Sequence, residues 1–180
     1  MNRVLIALSG LLPAQFLDRV LHRLSWESAE LYLLHVVDTR PLDEYGLAAS
    51  GLPGRGGKAA GRLRQMGALG AEAGQTMLAE AEAFTRSRVP AGTAIRRVQR
   101  TGIPEHEIIA AAHEIGAGLI ALLAAEDPHG PPPPPLPPPG RVGRPAPQFP
   151  RRHLSPPVRF VVDHAPCDVL LLYLEDGRTT

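Results

Sequence analysis

Between Gly140 and Tyr173 the chain reads as a glycine-bearing loop, a helix capped by Ser155, a turn and a buried strand. In an open α/β sheet that order can build a phosphate site, because loop amides and a helix N-terminus both face an anion. Gly140 and Gly143 free the loop backbone, and Arg141, Arg144, Arg151 and Arg152 bring positive charge that can pair with phosphates. Pro156 and Pro157 act against such a site by removing two N–H donors from the first helical turn. Each lost charge-assisted bond is worth roughly 1.5–3 kcal/mol, so the pair weakens anion binding by about 100-fold or more.

Other chemistry-bearing residues point to simpler roles. His106 and His113 lie seven residues apart, or roughly 10 Å along a helix, too far to share a metal whose ligands sit at about 2 Å. With Glu105, Glu107 and Glu114 they read as a solvated charged face. His164 and Cys167 flank a helix-end turn, where Cys167 packs as a small apolar residue. Ser155, Asp163 and His164 lack the strand-to-helix nucleophile turn of a hydrolytic triad. No residue is nominated as catalytic or metal-binding, and the chain is read as a non-enzyme.

The elements that must position these residues follow from periodicity. Arg3–Leu8, Glu30–Asp38 and Gly118–Ala124 are continuous apolar runs, as expected of strands buried on both faces of a parallel sheet. Thr93–Arg100 is more polar and predicts an edge strand, and Val169–Leu174 predicts a fifth. From Pro13 onward, Phe16, Leu17, Val20, Leu21 and Leu24 form a helical apolar stripe. A Gly- and Pro-bearing connection over 39–61 precedes a second helix from Arg62 to about Arg88. Gly67, Gly70 and Gly74 each cost that helix about 1 kcal/mol, which predicts fraying of its first half. A third helix starts at Gly102–Pro104 and buries Ile108, Ala112 and Ile115, with Glu105 and Glu107 favourably placed in its first turn. The fourth helix follows Ser155, with Pro156 at its first position and Val158, Val161 and Val162 on its apolar face.

Alternating strands and helices in 180 residues predict one doubly wound α/β domain over 1–174, with a flexible tail at 175–180. The segment 128–157 is a proline-rich insertion holding 14 of the chain's 20 prolines, so it reads as extended polyproline II. The net charge of +1 argues against a nucleic-acid partner, which needs a concentrated basic face. Cys167 is the single cysteine, which excludes an intramolecular disulfide. No run approaches the roughly 18 apolar residues of a membrane span, and MNRVLIALSG is broken too early for a signal peptide. The expectation is a soluble cytoplasmic protein.

The segments RVLIALSG, ELYLLHVVDTRP, TGIPEHEIIAAAHEIGAGLIAL and RFVVDHAPCDVLLL, in that order, resemble the universal stress protein family. The resemblance covers nearly the whole chain outside the insertion. It implies a Rossmann-like, adenine-nucleotide alpha-hydrolase-like sheet of five parallel strands in the order 3-2-1-4-5. It also implies a homodimer through the last strand, here 169–174, and a role in stress response or signalling. Many members bind ATP through a G-x2-G-x9-G-S/T loop after the fourth strand, with adenine and ribose held at the ends of strands 1 and 2. Carried onto this chain, the candidate ATP site is Ala7, Ser9, Val36, Gly140, Gly143 and Ser155. It departs from the family pattern at three points. Ser9 replaces the family Asp, eleven residues separate Gly143 from Ser155, and Ser155-Pro156 stands for Gly-Ser/Thr.

Three functional readings follow. The first is a non-enzymatic stress-response protein with a degenerate ATP loop, acting through an unknown protein partner. The second is an ATP-regulated switch, and the third is a scaffold recruiting partners through the proline segment. Arg144-x-x-Pro147-x-x-Pro150 fits one orientation of an SH3 ligand. A tolerated surface insertion and a local coding shift are the other readings of that segment.

Overall fold

The computed structural model describes residues 2–8, 14–24, 29–40, 56–124 and 154–173. Ser9, Gly140, Gly143, the run of prolines up to residue 153 and the tail from residue 175 lie outside the described residues.

Five strands form one parallel sheet: β1 (Asn2–Leu8), β2 (Ala29–Asp38), β3 (Ala94–Gly102), β4 (Leu119–Leu123) and β5 (Asp168–Leu172). Their order is β3-β2-β1-β4-β5, as the resemblance implied. The helices are α1 (Ala14–Arg23), α2 (Gly56–Arg86), α3 (Pro104–Ile115) and α4 (Pro156–His164).

Strand alternation sorts the core into two layers. Val4, Ile6 and Leu8 of β1, with Leu31 and Leu33 of β2, pack against Phe16, Leu17, Val20 and Leu21 of α1 and Leu78 of α2. The intervening Leu5 and Ala7, with Leu34, Ile120 and Leu122, pack against Ala111 and Ala112 of α3 and Val161 of α4. Burying a Leu, Ile, Val or Phe side chain stabilises by roughly 1.5–3 kcal/mol, so both faces must be covered for the fold to hold. The register pairs Ala7 of β1 with Leu34 of β2 and with Leu122 of β4, aligning the carboxyl ends of three strands.

The polar strand is at the edge, as its sequence predicts, and ion pairs tie it down. Arg96 Nε lies 2.5 Å from Glu30 Oε1, Arg3 Nε lies 3.5 Å from Glu30 Oε2, and Arg97 Nε lies 3.0 Å from Glu82 Oε2. The hydrogen bond from Arg96 holds the Glu30 carboxyl below its ordinary value, against the effect of burial. The apolar β4 is interior, between β1 and β5.

Several boundaries differ from expectation. The second helix begins at Gly56, not Arg62, so the connection before it is shorter than 39–61. Its continuation is built from Gly56, Gly57, Lys58, Ala59, Ala60 and Gly61, where the glycines had read as loop. β3 runs on to Gly102, because its last residues pair with Val37 and Asp38 of β2. The last strand ends at Leu172 rather than residue 174, where β4, its partner in the sheet, also ends.

α3 starts at Pro104 and has Glu105 and Glu107 in its first turn, as expected. It ends at Gly116, whose φ of 60° is the left-handed conformation that glycine adopts at least cost. Ala117 N–H donates to Ala112 O at 2.9 Å, and Arg3 Nη1 donates to Ile115 O at 2.7 Å, satisfying the last carbonyls. Among the described residues no helix is long and apolar enough to cross a membrane.

Candidate functional site

In a doubly wound sheet the ligand crevice forms at the carboxyl ends of the strands, where the order reverses. Here that point lies between β1 and β4, and it opens into a cavity of about 340 Å³. This is toward the small end of the ~300–1,000 Å³ range of small-molecule sites. Ala7 and Leu8 close it from β1, Leu34 and Val36 from β2, and Leu122 and Leu123 from β4. Pro104, Glu105 and Ile108 of α3 form one wall, and Ser155, Pro157, Val158 and Val161 at the start of α4 form the other.

The cavity therefore brings together Ala7, Val36 and Ser155, three of the six candidate residues. The other three, Ser9, Gly140 and Gly143, lie outside the described residues. Ser155 is at the N-cap position of α4 but its side chain makes no capping hydrogen bond, contrary to expectation. A capping hydroxyl accepts from the N–H of the second or third helical residue. Pro157 occupies the second and has no N–H. The backbone carbonyl of Ser155 still accepts from Arg159 N–H at 3.0 Å, so the helix itself is intact.

Three polar residues were not singled out as site residues from the sequence. Arg40 bridges two carboxylates on the cavity wall. Its Nε lies 3.0 Å from both Asp38 oxygens, its Nη2 lies 2.7 Å from Asp38 Oδ2, and its Nη1 lies 3.2 Å from Glu105 Oε1. Burial pushes the Asp38 carboxyl up, but the hydrogen bonds and charge of Arg40 outweigh it and hold the group below its ordinary value. Glu105 Oε2 is buried and has no hydrogen-bond partner among the described residues.

His35 also borders the cavity, but its ring packs on the other side of the sheet. A Cβ on Gly74 of α2 would overlap that ring. Burial lowers the His35 pKa, partly offset by the Leu8 carbonyl. The folded state thus binds this proton less readily than the unfolded chain. The resulting stability is full above the ordinary histidine value, about 6.5, and declines as pH falls below it toward the folded value. Thermal unfolding is expected to give a lower midpoint at pH 5.5 than at pH 7.5. His35→Leu should flatten that slope; an unchanged slope would assign it to other groups.

The remaining chemistry-bearing residues do not converge. His164 stacks on Phe160, with ring centroids 4.1 Å apart, and its Nδ1 lies 2.9 Å from Phe160 O. Ser155 and His164 sit at opposite ends of α4, roughly 13 Å apart by helical rise. Asp163 pairs instead with Arg159 at 3.7 Å. Cys167 packs against the α3–α4 layer, where burial, followed by the charge of Asp168, pushes its thiol up. His106 and His113 are exposed, and among the described residues no three His, Cys, Asp or Glu side chains are grouped to hold a metal.

The cofactor implied by the resemblance is ATP, and its parts fit unequally. Leu34, Val36, Ile108 and Val161 offer apolar surface for a flat ring. The first turn of α4, where phosphates would be held, opens with Pro156 and Pro157 and lacks their N–H donors.

Comparison with known proteins places this geometry. Protein MJ0577 has a structure that superposes with a TM-score of 0.64 at 16% identity, covering 98% of each chain. Universal stress protein UspA from Lactobacillus plantarum gives a TM-score of 0.55 at 20% identity, covering 95% of this chain and 97% of its own. A universal stress protein family member from Arabidopsis thaliana, solved with AMP bound, gives 0.55 at 14% identity, covering 100% of this chain and 97% of its own. At these identities the structures share the fold. No curated protein matches the sequence significantly. The model of the universal stress protein family matches residues 1–130, from β1 through β4. The match spans well over half of the sequence, and the chain belongs to the universal stress protein family.

Proposed function

We propose that this protein is a non-enzymatic stress-response protein that binds the adenosine part of an adenine nucleotide and signals through its bound state. The carrying observation is the cavity at the β1–β4 switch point, which collects Ala7, Val36 and Ser155 from three separate elements. The AMP-bound Arabidopsis relative supports the same class of ligand. A non-catalytic role agrees with the rim chemistry. Asp38 is a weakened base, held by Arg40 and with its pKa lowered. In this reading the chain is cytoplasmic, and two copies pair through the outer edge of β5, whose far side has no neighbouring strand among the described residues.

Calorimetric titration of the full chain with AMP is the direct test. One site per chain is expected. Val158→Trp, which fills the cavity from α4, should remove the heat of binding while leaving the far-ultraviolet spectrum unchanged. Equal binding by the variant would place any nucleotide elsewhere, and no binding by the parent chain would sink the reading.

A further inference from the structure

We propose that the cavity selects a small, uncharged nucleoside-like ligand carrying an amino donor, which Glu105 accepts, in preference to a nucleoside triphosphate. This rests on the adenine-nucleotide reading and narrows its ligand.

The first observation is electrostatic. Two carboxylates, Asp38 and Glu105, share one guanidinium, that of Arg40. Among the described residues, formal charges of −1, −1 and +1 leave this group of three at −1. Arg40 turns Nε, Nη1 and Nη2 toward the carboxylates, so its charge is already committed. A polyphosphate would meet net repulsion here, whereas an amine or hydroxyl would meet acceptors.

The second observation is an unmet hydrogen bond. Glu105 Oε1 accepts from Arg40, but the buried Oε2 has no partner among the described residues. A carboxylate oxygen removed from water without a donor is costly, and buried polar atoms are satisfied in most structures. Glu105 and Ile108, one helical turn apart on α3, both line the cavity, so a ring seated on that apolar wall lies beside this carboxylate. The ion pair with Arg40 holds the side chain in place before the ligand arrives.

The third observation concerns the opposite wall. A phosphate group at the start of α4 needs N–H donors from the first turn. Pro156 and Pro157 supply none, and Pro157 and Val158 present apolar surface to the cavity.

The experiment titrates the full chain with adenosine, inosine, AMP and ATP under one buffer and salt condition. Inosine lacks the exocyclic amine and is otherwise close in shape. Adenosine is expected to bind at least as tightly as ATP and about tenfold more tightly than inosine, the loss expected for one charged hydrogen bond. Glu105→Gln should bring adenosine down to the inosine level. Glu107→Gln removes a carboxylate from the same helix that pairs with Arg100 and does not line the cavity, so it should retain the preference for adenosine over inosine. That separates ligand recognition by Glu105 from a general loss of negative charge on α3. ATP binding tenfold tighter than adenosine would overturn the inference while leaving the nucleotide reading standing. Unchanged adenosine affinity in Glu105→Gln would do the same. Failure of all four ligands would overturn both.

Discussion

Replacing Phe16 by alanine is expected to destabilise the protein by about 3–5 kcal/mol, the usual cost of emptying a buried aromatic site. Phe16 is 1% exposed and lies in the layer between α1 and the sheet, against residues of β1 and β2. A domain is held by only about 5–15 kcal/mol, so this one change removes a large share of the margin. The thermal midpoint should fall by about 10 °C. The cavity lies with α3 and α4 on the opposite face of the sheet. Nucleotide affinity measured well below the midpoint should therefore change little. A loss under about 1 kcal/mol would mean that α1 is not packed as described, and a parallel loss of affinity would mean that the two layers are coupled.

Gly74→Leu is expected to destabilise by about 1–3 kcal/mol, although glycine is a poor helix residue. A side chain at this position would overlap the His35 ring and approach Gln99 Nε2 to 2.8 Å. The Gln99 amide also donates to Ala71 O at 2.8 Å, joining β3 to α2. Displacing either group loosens the contact of α2 with β2 and β3. Gly70 supplies the control, since its nearest neighbour is Val37 Cγ1 at 3.4 Å. Gly70→Ala should be neutral or stabilising by up to about 1 kcal/mol, as at an ordinary helix position. Denaturant midpoints for the two variants check this contrast, and equal effects would contradict the close approach of α2 to His35.

Gly74 also marks where sequence reading stops. Its cost to an isolated helix is visible in the sequence, and it suggested fraying. The benefit depends on His35 and Gln99, which arrive from two different strands. The strands themselves were legible, because a parallel sheet covered on both faces demands unbroken apolar runs, and Val4–Leu8 and Leu31–Leu34 are such runs. Helix ends were less legible, since Gly56–Gly61 has the composition of a loop yet continues α2.

The site divides in the same way. Ala7, Val36 and Ser155 could be named because the family resemblance supplies their positions, and the fold brings them to one cavity. The Asp38–Arg40–Glu105 bridge could not, because Arg40 and Glu105 are 65 residues apart. One signal was present. Asp38 ends β2 and Glu105 begins the helix after β3, and both places lie at the carboxyl edge of a doubly wound sheet. The sequence assigns Glu105 to a solvated charged face and to the first turn of a helix, whereas its side chain is partly buried and paired with Arg40.

The two prolines at the start of α4 have a consequence for motion as well. Proline fixes φ near its helical value and narrows the unfolded ensemble, so a helix that begins with two of them is organised in advance. Ligand entry then has no ordering of that first turn to drive. Any signal the protein sends on binding must arise from segments other than the opening of α4, and amide hydrogen exchange within Val158–His164 should be the same with the cavity empty or filled.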